Sequence, residues 1–129
     1  MNERIRDRFQ RAAASVLEDG ETVELGTLTH TGPMFYDPML SPLNFINSSR
    51  GKTEGRALFL TARRVLYART SMTGVVKEVI ATWKVGSAPI TIERTKRGAN
   101  VIVDGEVSGL RRGTDGARDL VARAAGSAR

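Results

Sequence analysis

The groups in this chain best spaced to do chemistry are cations. Residues 56–61 and 64–70 read as two apolar strands joined at a tight basic turn. Pairing them as a hairpin sorts the charges to its two ends. Arg63 and Arg64 fall at the closed turn, while Lys52, Arg56, Arg69 and Lys77 fall at the open end. The two ends lie about 20 Å apart at the rise of an extended strand, so they form no single pocket. Lys52, Arg56, Arg69 and Lys77 are the candidate cluster for an anionic ligand.

Other chemistries lack their groups. There is no cysteine, which excludes thiol catalysis and Cys-based zinc sites. The single histidine, His30, excludes a His-rich metal site and reads as a polar surface residue at a strand end. A Ser or Thr nucleophile needs a His or Lys beside it, and no such pair or elbow is recognisable. No catalytic residue, cofactor-binding residue or metal ligand is assigned, and an enzyme is not expected; a site of Asp and Arg assembled across loops stays open. Gly51-Lys52-Thr53 mimics the end of a phosphate-binding loop, but Ile46 stands where the motif needs glycine. Asn47-Ser48-Ser49 is a sequon without a secretion signal.

The hairpin is the element that must position these cations. Ala57-Leu58-Phe59-Leu60 and Val65-Leu66-Tyr67-Ala68 do not alternate between apolar and polar residues. Strands apolar on both sides are covered on both faces, so the hairpin belongs at the centre of the fold. A buried helix is the competing reading, disfavoured by Gly55 and Gly74 on either side.

Before the hairpin, residues 3–18 read as an amphipathic helix with Ile5, Phe9, Ala12 and Val16 on one face, widened by Ala13 and Leu17. Asn2 is its expected cap, and it packs on the domain or on a second subunit. Residues 21–31 alternate as a strand. After the hairpin come strands at 75–85, 90–94, 101–103 and 106–108, the last two joined by the turn signal Asp104-Gly105. Trp83 reads as core. A closing helix is expected over 114–125, with Thr114 as cap and Ala117, Leu120, Val121 and Ala124 as its stripe. The sum is a mainly β (α+β) fold. Seven antiparallel strands form a partly open barrel or sandwich, capped by the C-terminal helix, with an extra helix at the N-terminus.

Residues 32–55 break the pattern. Pro33, Pro38 and Pro42 are interleaved with Met34, Phe35, Tyr36, Met39, Leu40, Leu43, Phe45 and Ile46. The stretch is too apolar for a solvated loop and too rich in proline for a helix. Three covers stay open: it folds back over the hairpin, it forms an interface with a partner or a second copy, or it dips into a lipid surface. Those eight apolar residues are the candidate interface.

At 129 residues the chain makes one domain able to bury about two-thirds of its unfolded surface. No apolar run of membrane-spanning length and no signal-peptide core occur, so a cytoplasmic location is expected. The net charge is +6, unevenly spread: residues 1–20 balance, 21–49 carry three acids and no Lys or Arg, and 50–84 carry eight basic residues against two acids. That excess permits anionic partners.

Leu60-Thr61-Ala62-Arg63-Arg64-Val65-Leu66-Tyr67, the turn at 71–74 and the closing helix together resemble the bacterial pleckstrin-homology-like (PH-like) domains, over about residues 20–125. The first of these is similar to that family's LT-x-RR-L-Y second hairpin. The resemblance implies two bent antiparallel sheets capped by a C-terminal helix, and a binding or scaffolding module rather than an enzyme. Eukaryotic relatives often bind phosphoinositides through Lys followed by Arg-x-Arg. Here Lys52 is followed by adjacent Arg63 and Arg64, a departure from that pattern. The insert at 32–55 and the N-terminal helix are departures too.

The leading expectation is protein–protein interaction or self-association. The alternative is weak peripheral binding of anionic lipid at the inner face of the membrane, at about 1 kcal/mol per basic residue. Nucleic acid is ranked below both, because few aromatic residues are interleaved with the charges.

Overall fold

The computed structural model describes residues 3–31, 54–71, 74–95, 98–110 and 116–126. The sheet strands are β1 (Val23–Thr31), β2 (Glu54–Thr61), β3 (Arg64–Thr70), β4 (Val76–Lys84), β5 (Ile90–Thr95), β6 (Gly98–Val103) and β7 (Glu106–Leu110). Helix α1 (Glu3–Ala13) precedes them, and helix α2 (Ala117–Ala125) follows. All pairings are antiparallel, in the order β4-β3-β2-β1-β7-β6-β5, so β4 and β5 are the edges.

The β2–β3 hairpin sits centrally and is covered on both faces, as its unbroken apolar runs require. On the inner face, Leu58, Leu60, Val65 and Tyr67 pack with Ile90, Val101 and Val103 from the far strands and with Leu120, Val121 and Ala124 of α2. One core shared by β2–β3 and β5–β6 means that the sheet curls around it. On the outer face, Ala57, Phe59, Leu66 and Ala68 pack beneath Phe9 and Ala13 of α1. The Phe9 and Phe59 rings meet edge to face with centroids 6.0 Å apart.

Strict alternation along residues 21–31 puts Val23 and Leu25 on one face. The structure puts them on opposite faces, because a bulge between them leaves Glu24 without a partner on β2. Two further irregularities interrupt β4, between its pairs with Tyr67 and Ala68 and between those with Arg69 and Thr70. They set Val79 and Val76, three residues apart, both against the outer cluster.

α1 stops at Ala13 rather than running to residue 18. Arg64 donates from Nη2 to the Val16 carbonyl at 3.0 Å, which holds the following turn off the helical path. Val16 and Leu17 still pack against the outer cluster. α2 begins at Ala117 after left-handed Gly116, three residues later than expected; Thr114, like Asn2, lies outside the described residues. Asp104 (φ 48°) and Gly105 (φ 87°) make the expected tight turn. His30 is buried at 7% exposure, which corrects its reading as a surface residue: its stretch of β1 is flanked by both β2 and β7.

Candidate functional site

Three of the four candidate cations lie at one end of the curled sheet. Arg56 and Arg69 are directly opposite on β2 and β3, and Arg69 in turn faces Glu78 of β4. Lys77, next to Glu78, is exposed and has no partner in the β3 register. Lys52 lies outside the described residues, as do Met34, Phe35, Tyr36, Met39, Leu40, Leu43, Phe45 and Ile46.

Like charges directly opposite on neighbouring strands repel, and here carboxylates offset them. Arg56 Nη1 lies 2.7 Å from Glu54 Oε2, and its Nε donates to Glu106 Oε1 at 3.2 Å. Arg69 Nε lies 2.8 Å from Glu78 Oε1. Arg56, Arg69 and Lys77 thus share their end of the sheet with Glu54, Glu78 and Glu106: three positive charges against three negative. Within the described residues this end carries no excess charge for an anion.

Glu106, whose side chain is exposed, ties the two parts of the sheet together. It stands at the start of β7, and its Oε1 accepts both the Arg56 bond from β2 and a bond from the Tyr67 hydroxyl of β3. Burial of the Tyr67 ring, followed by that bond to Glu106, raises the phenol to about 12. Burial pulls the Arg56 guanidinium down, but the hydrogen bond to Glu54 and the charge of Glu106 leave it above its ordinary value. Thr27 and Thr29 of β1 are fully buried, and their hydroxyls have no hydrogen-bond partner among the described residues.

The basic turn at the hairpin's closed end is occupied by architecture. Thr61 Oγ1 accepts the backbone N–H groups of Arg63 and Arg64 at 3.2 and 3.1 Å and donates to Glu21 Oε2 at 2.8 Å. Arg64 clasps Glu21 with Nε at 3.0 Å and Nη2 at 2.9 Å. The Arg64 hydrogen bond is the chief reason that the Glu21 carboxyl falls to about 2. Gln10 of α1 joins this end through its Oε1, which accepts the Val23 N–H at 2.6 Å. Exposed Arg63 reaches Glu18 at 3.4 Å.

Neither Glu106 nor Glu21 stands out in the sequence. A carboxylate at the first position of a short strand, or just after a helix, reads as solvated. Only the curl of the sheet brings Glu106 under Arg56, and only the hairpin turn brings Arg64 onto Glu21.

Among the described residues there is no group of three or more His, Cys, Asp or Glu able to hold a metal ion, and no helix is long and apolar enough to cross a membrane. The chain matches no protein-family model, no curated protein and no solved structure.

Proposed function

We propose that this chain is a non-catalytic, PH-like binding or scaffolding module that works by protein–protein contact or self-association, with the apolar residues Met34 to Ile46 as its interface. Support for the PH-like type comes from the LT-x-RR motif and the order of strands and closing helix. The observation that carries the interaction reading is the position of α1. Phe9 and Ala13 already cover Ala57, Phe59, Leu66 and Ala68, so the hairpin does not need the insert as its lid. Eight large apolar side chains between residues 34 and 46 then call for another cover.

The test is solution mass by light scattering on a column, for the intact chain and for one with Met34, Phe35, Leu40 and Phe45 made polar. A dimer or larger species that becomes a folded monomer supports the reading. A monomeric intact chain overturns self-association. Failure of the variant to fold makes the insert part of the core. Sedimentation with phosphatidylserine vesicles at low salt tests the anionic-lipid alternative through Lys52, Arg56, Arg69 and Lys77.

A further inference from the structure

β4 is an edge of the sheet: among the described residues it pairs with β3 alone. An edge offers a row of backbone donors and acceptors to another strand, and natural edges are blunted by charges or bulges. This one keeps Val75 and Ile80 in the open, at 62% and 46% exposure. It also carries two bulges. Ala81 and Val79 face consecutive residues of β3, Tyr67 and Ala68, so Ile80 is inserted between them. Glu78 and Val76 face Arg69 and Thr70, so Lys77 is inserted too.

A bulge blunts an edge because a regular incoming strand does not follow the shortened backbone. A second copy of this chain does follow it, since it carries the same bulge at the same place. A two-fold axis between Lys77 and Glu78, perpendicular to the sheet, sets Val75 opposite Ile80 of the second copy. It likewise sets Val76 opposite Val79 of the second copy and Lys77 opposite Glu78 of the second copy, and the symmetry repeats each pair. The pairs match in kind: exposed apolar with exposed apolar, half-buried valine with half-buried valine, cation with carboxylate. The Glu78 side chain stays 58% exposed beside Arg69, so it is oriented by its own chain and still open to a lysine.

The faces match as well. Directly opposite residues in an antiparallel pair share a face. Val76 and Val79 are three residues apart, which in a regular strand puts them on opposite faces. The bulge at Lys77 sets both against the outer cluster, so the feature that turns other strands away brings this register into line. The register that sets Glu78 against Lys84 fails the same criterion. Those two face Arg69 and Arg64, five residues apart on β3, and therefore lie on opposite faces.

We infer that β4 is a self-association surface, pairing residues 75–80 antiparallel with the same residues of a second copy. The inference rests on the self-association arm of the proposed function but uses a different surface from residues 34–46. So short a segment falls well below the roughly 20–30 residues a side of a stable interface, so the contact alone makes a weak, concentration-dependent dimer.

Sedimentation velocity over a concentration series tests the full chain, Lys77→Glu, Glu78→Lys, an equimolar mixture of those two variants, and the chain with Met34, Phe35, Leu40 and Phe45 made polar. Urea unfolding checks that each is folded. A single reversal sets like charges opposite at both symmetry-related pairs and should weaken association about tenfold. The mixture should regain it, because each variant supplies the charge that the other lacks. Lys77 has no β3 partner, so Lys77→Glu keeps the comparison decisive even where Glu78→Lys suffers from loss of the Arg69 bond. Reversals that leave association unchanged, or a mixture of folded variants that stays as weak as either alone, overturn the edge pairing. Association lost in the insert variant but not in Lys77→Glu overturns the edge and keeps residues 34–46 as the interface. Association lost in Lys77→Glu, regained in the mixture and kept in the insert variant supports the edge and removes the insert from self-association. A full chain that is monomeric at every concentration overturns both self-association surfaces and leaves contact of residues 34–46 with another protein.

Discussion

Phe9 lies on the sheet because Gly26 has no side chain. A Cβ at Gly26 would stand 2.6 Å from Phe9 Cγ, inside any real contact. Gly26→Ala is therefore expected to push the ring off its seat against Phe59 and cost about 1–3 kcal/mol, as overpacking does. Phe9→Ala is expected to cost about 3–5 kcal/mol. The double variant should be less destabilised than the sum, because the clash needs both groups. Urea unfolding of the four proteins measures the coupling, and additivity would mean that the two residues do not meet.

The same contact explains how far the fold was legible. The central hairpin was readable because both its runs are apolar without alternation, and so was its need for cover on both faces. The stripe Ile5, Phe9, Ala12, Val16 marked α1 as a helix with one buried face. Which element covers the hairpin was not readable: α1 and the insert were both apolar enough, and nothing local marks Gly26 as the seat for a ring. Bulges also erase information. Val23 and Leu25 share a face by alternation and part only because Glu24 loops out. At the candidate site, the proximity of Arg56 and Arg69 followed from hairpin parity. Their carboxylate partners did not, since Glu106 reaches Arg56 through fifty residues of chain and the curl of the sheet.

The Glu21–Arg64 clasp sets an acid limit on stability. Glu21 ionises at about 2 in the folded chain, against an ordinary 4.5, chiefly through Arg64. A carboxyl depressed on folding stabilises the fold above its unfolded value, and that contribution is lost as pH falls from 4.5 towards 2. The loss is on the order of 3 kcal/mol by linkage. Glu21→Gln should be less stable at neutral pH and should flatten this part of the profile. Stability measured by urea unfolding at several pH values between 6 and 2.5 checks it, and an unchanged slope in the variant would contradict the clasp.

Tyr67 sets a corresponding alkaline limit. Burial and the Glu106 bond raise its phenol to about 12 from an ordinary 10.0. A group whose folded value is raised contributes fully below its unfolded value, and its contribution is lost as pH rises through 10 towards 12. Tyr36 and Tyr67 are the only tyrosines, so a Tyr36→Phe chain reports Tyr67 alone by ultraviolet titration. Its midpoint should fall towards 10 when Glu106→Ala removes the acceptor, although burial keeps it above that value. Tyr67→Phe should cost about 1–2 kcal/mol through the lost hydrogen bond. A midpoint left unchanged by Glu106→Ala would show that the bond to Glu106 does not form.

Two glycines with nearly the same backbone separate the cost of conformation from the cost of contact. Gly20 (φ +76°) has nothing within 4 Å of a built Cβ, whereas at Gly126 (φ +71°) that atom would lie 2.7 Å from the Gly86 carbonyl oxygen. Gly126 caps α2 where the β4–β5 turn clips onto it: the N–H groups of Gly86 and Ala88 both donate to the Ala124 carbonyl, at 2.9 and 3.1 Å. Gly20→Ala should cost about 1 kcal/mol, the strain of a left-handed residue with a side chain. Gly126→Ala carries the same strain and must also shift backbone against backbone, so it should cost more. It should also raise amide exchange at Gly86 and Ala88, while Gly20→Ala leaves both unchanged. Equal costs, with Gly86 and Ala88 protected in both variants, would mean that α2 is not held on the β4–β5 turn.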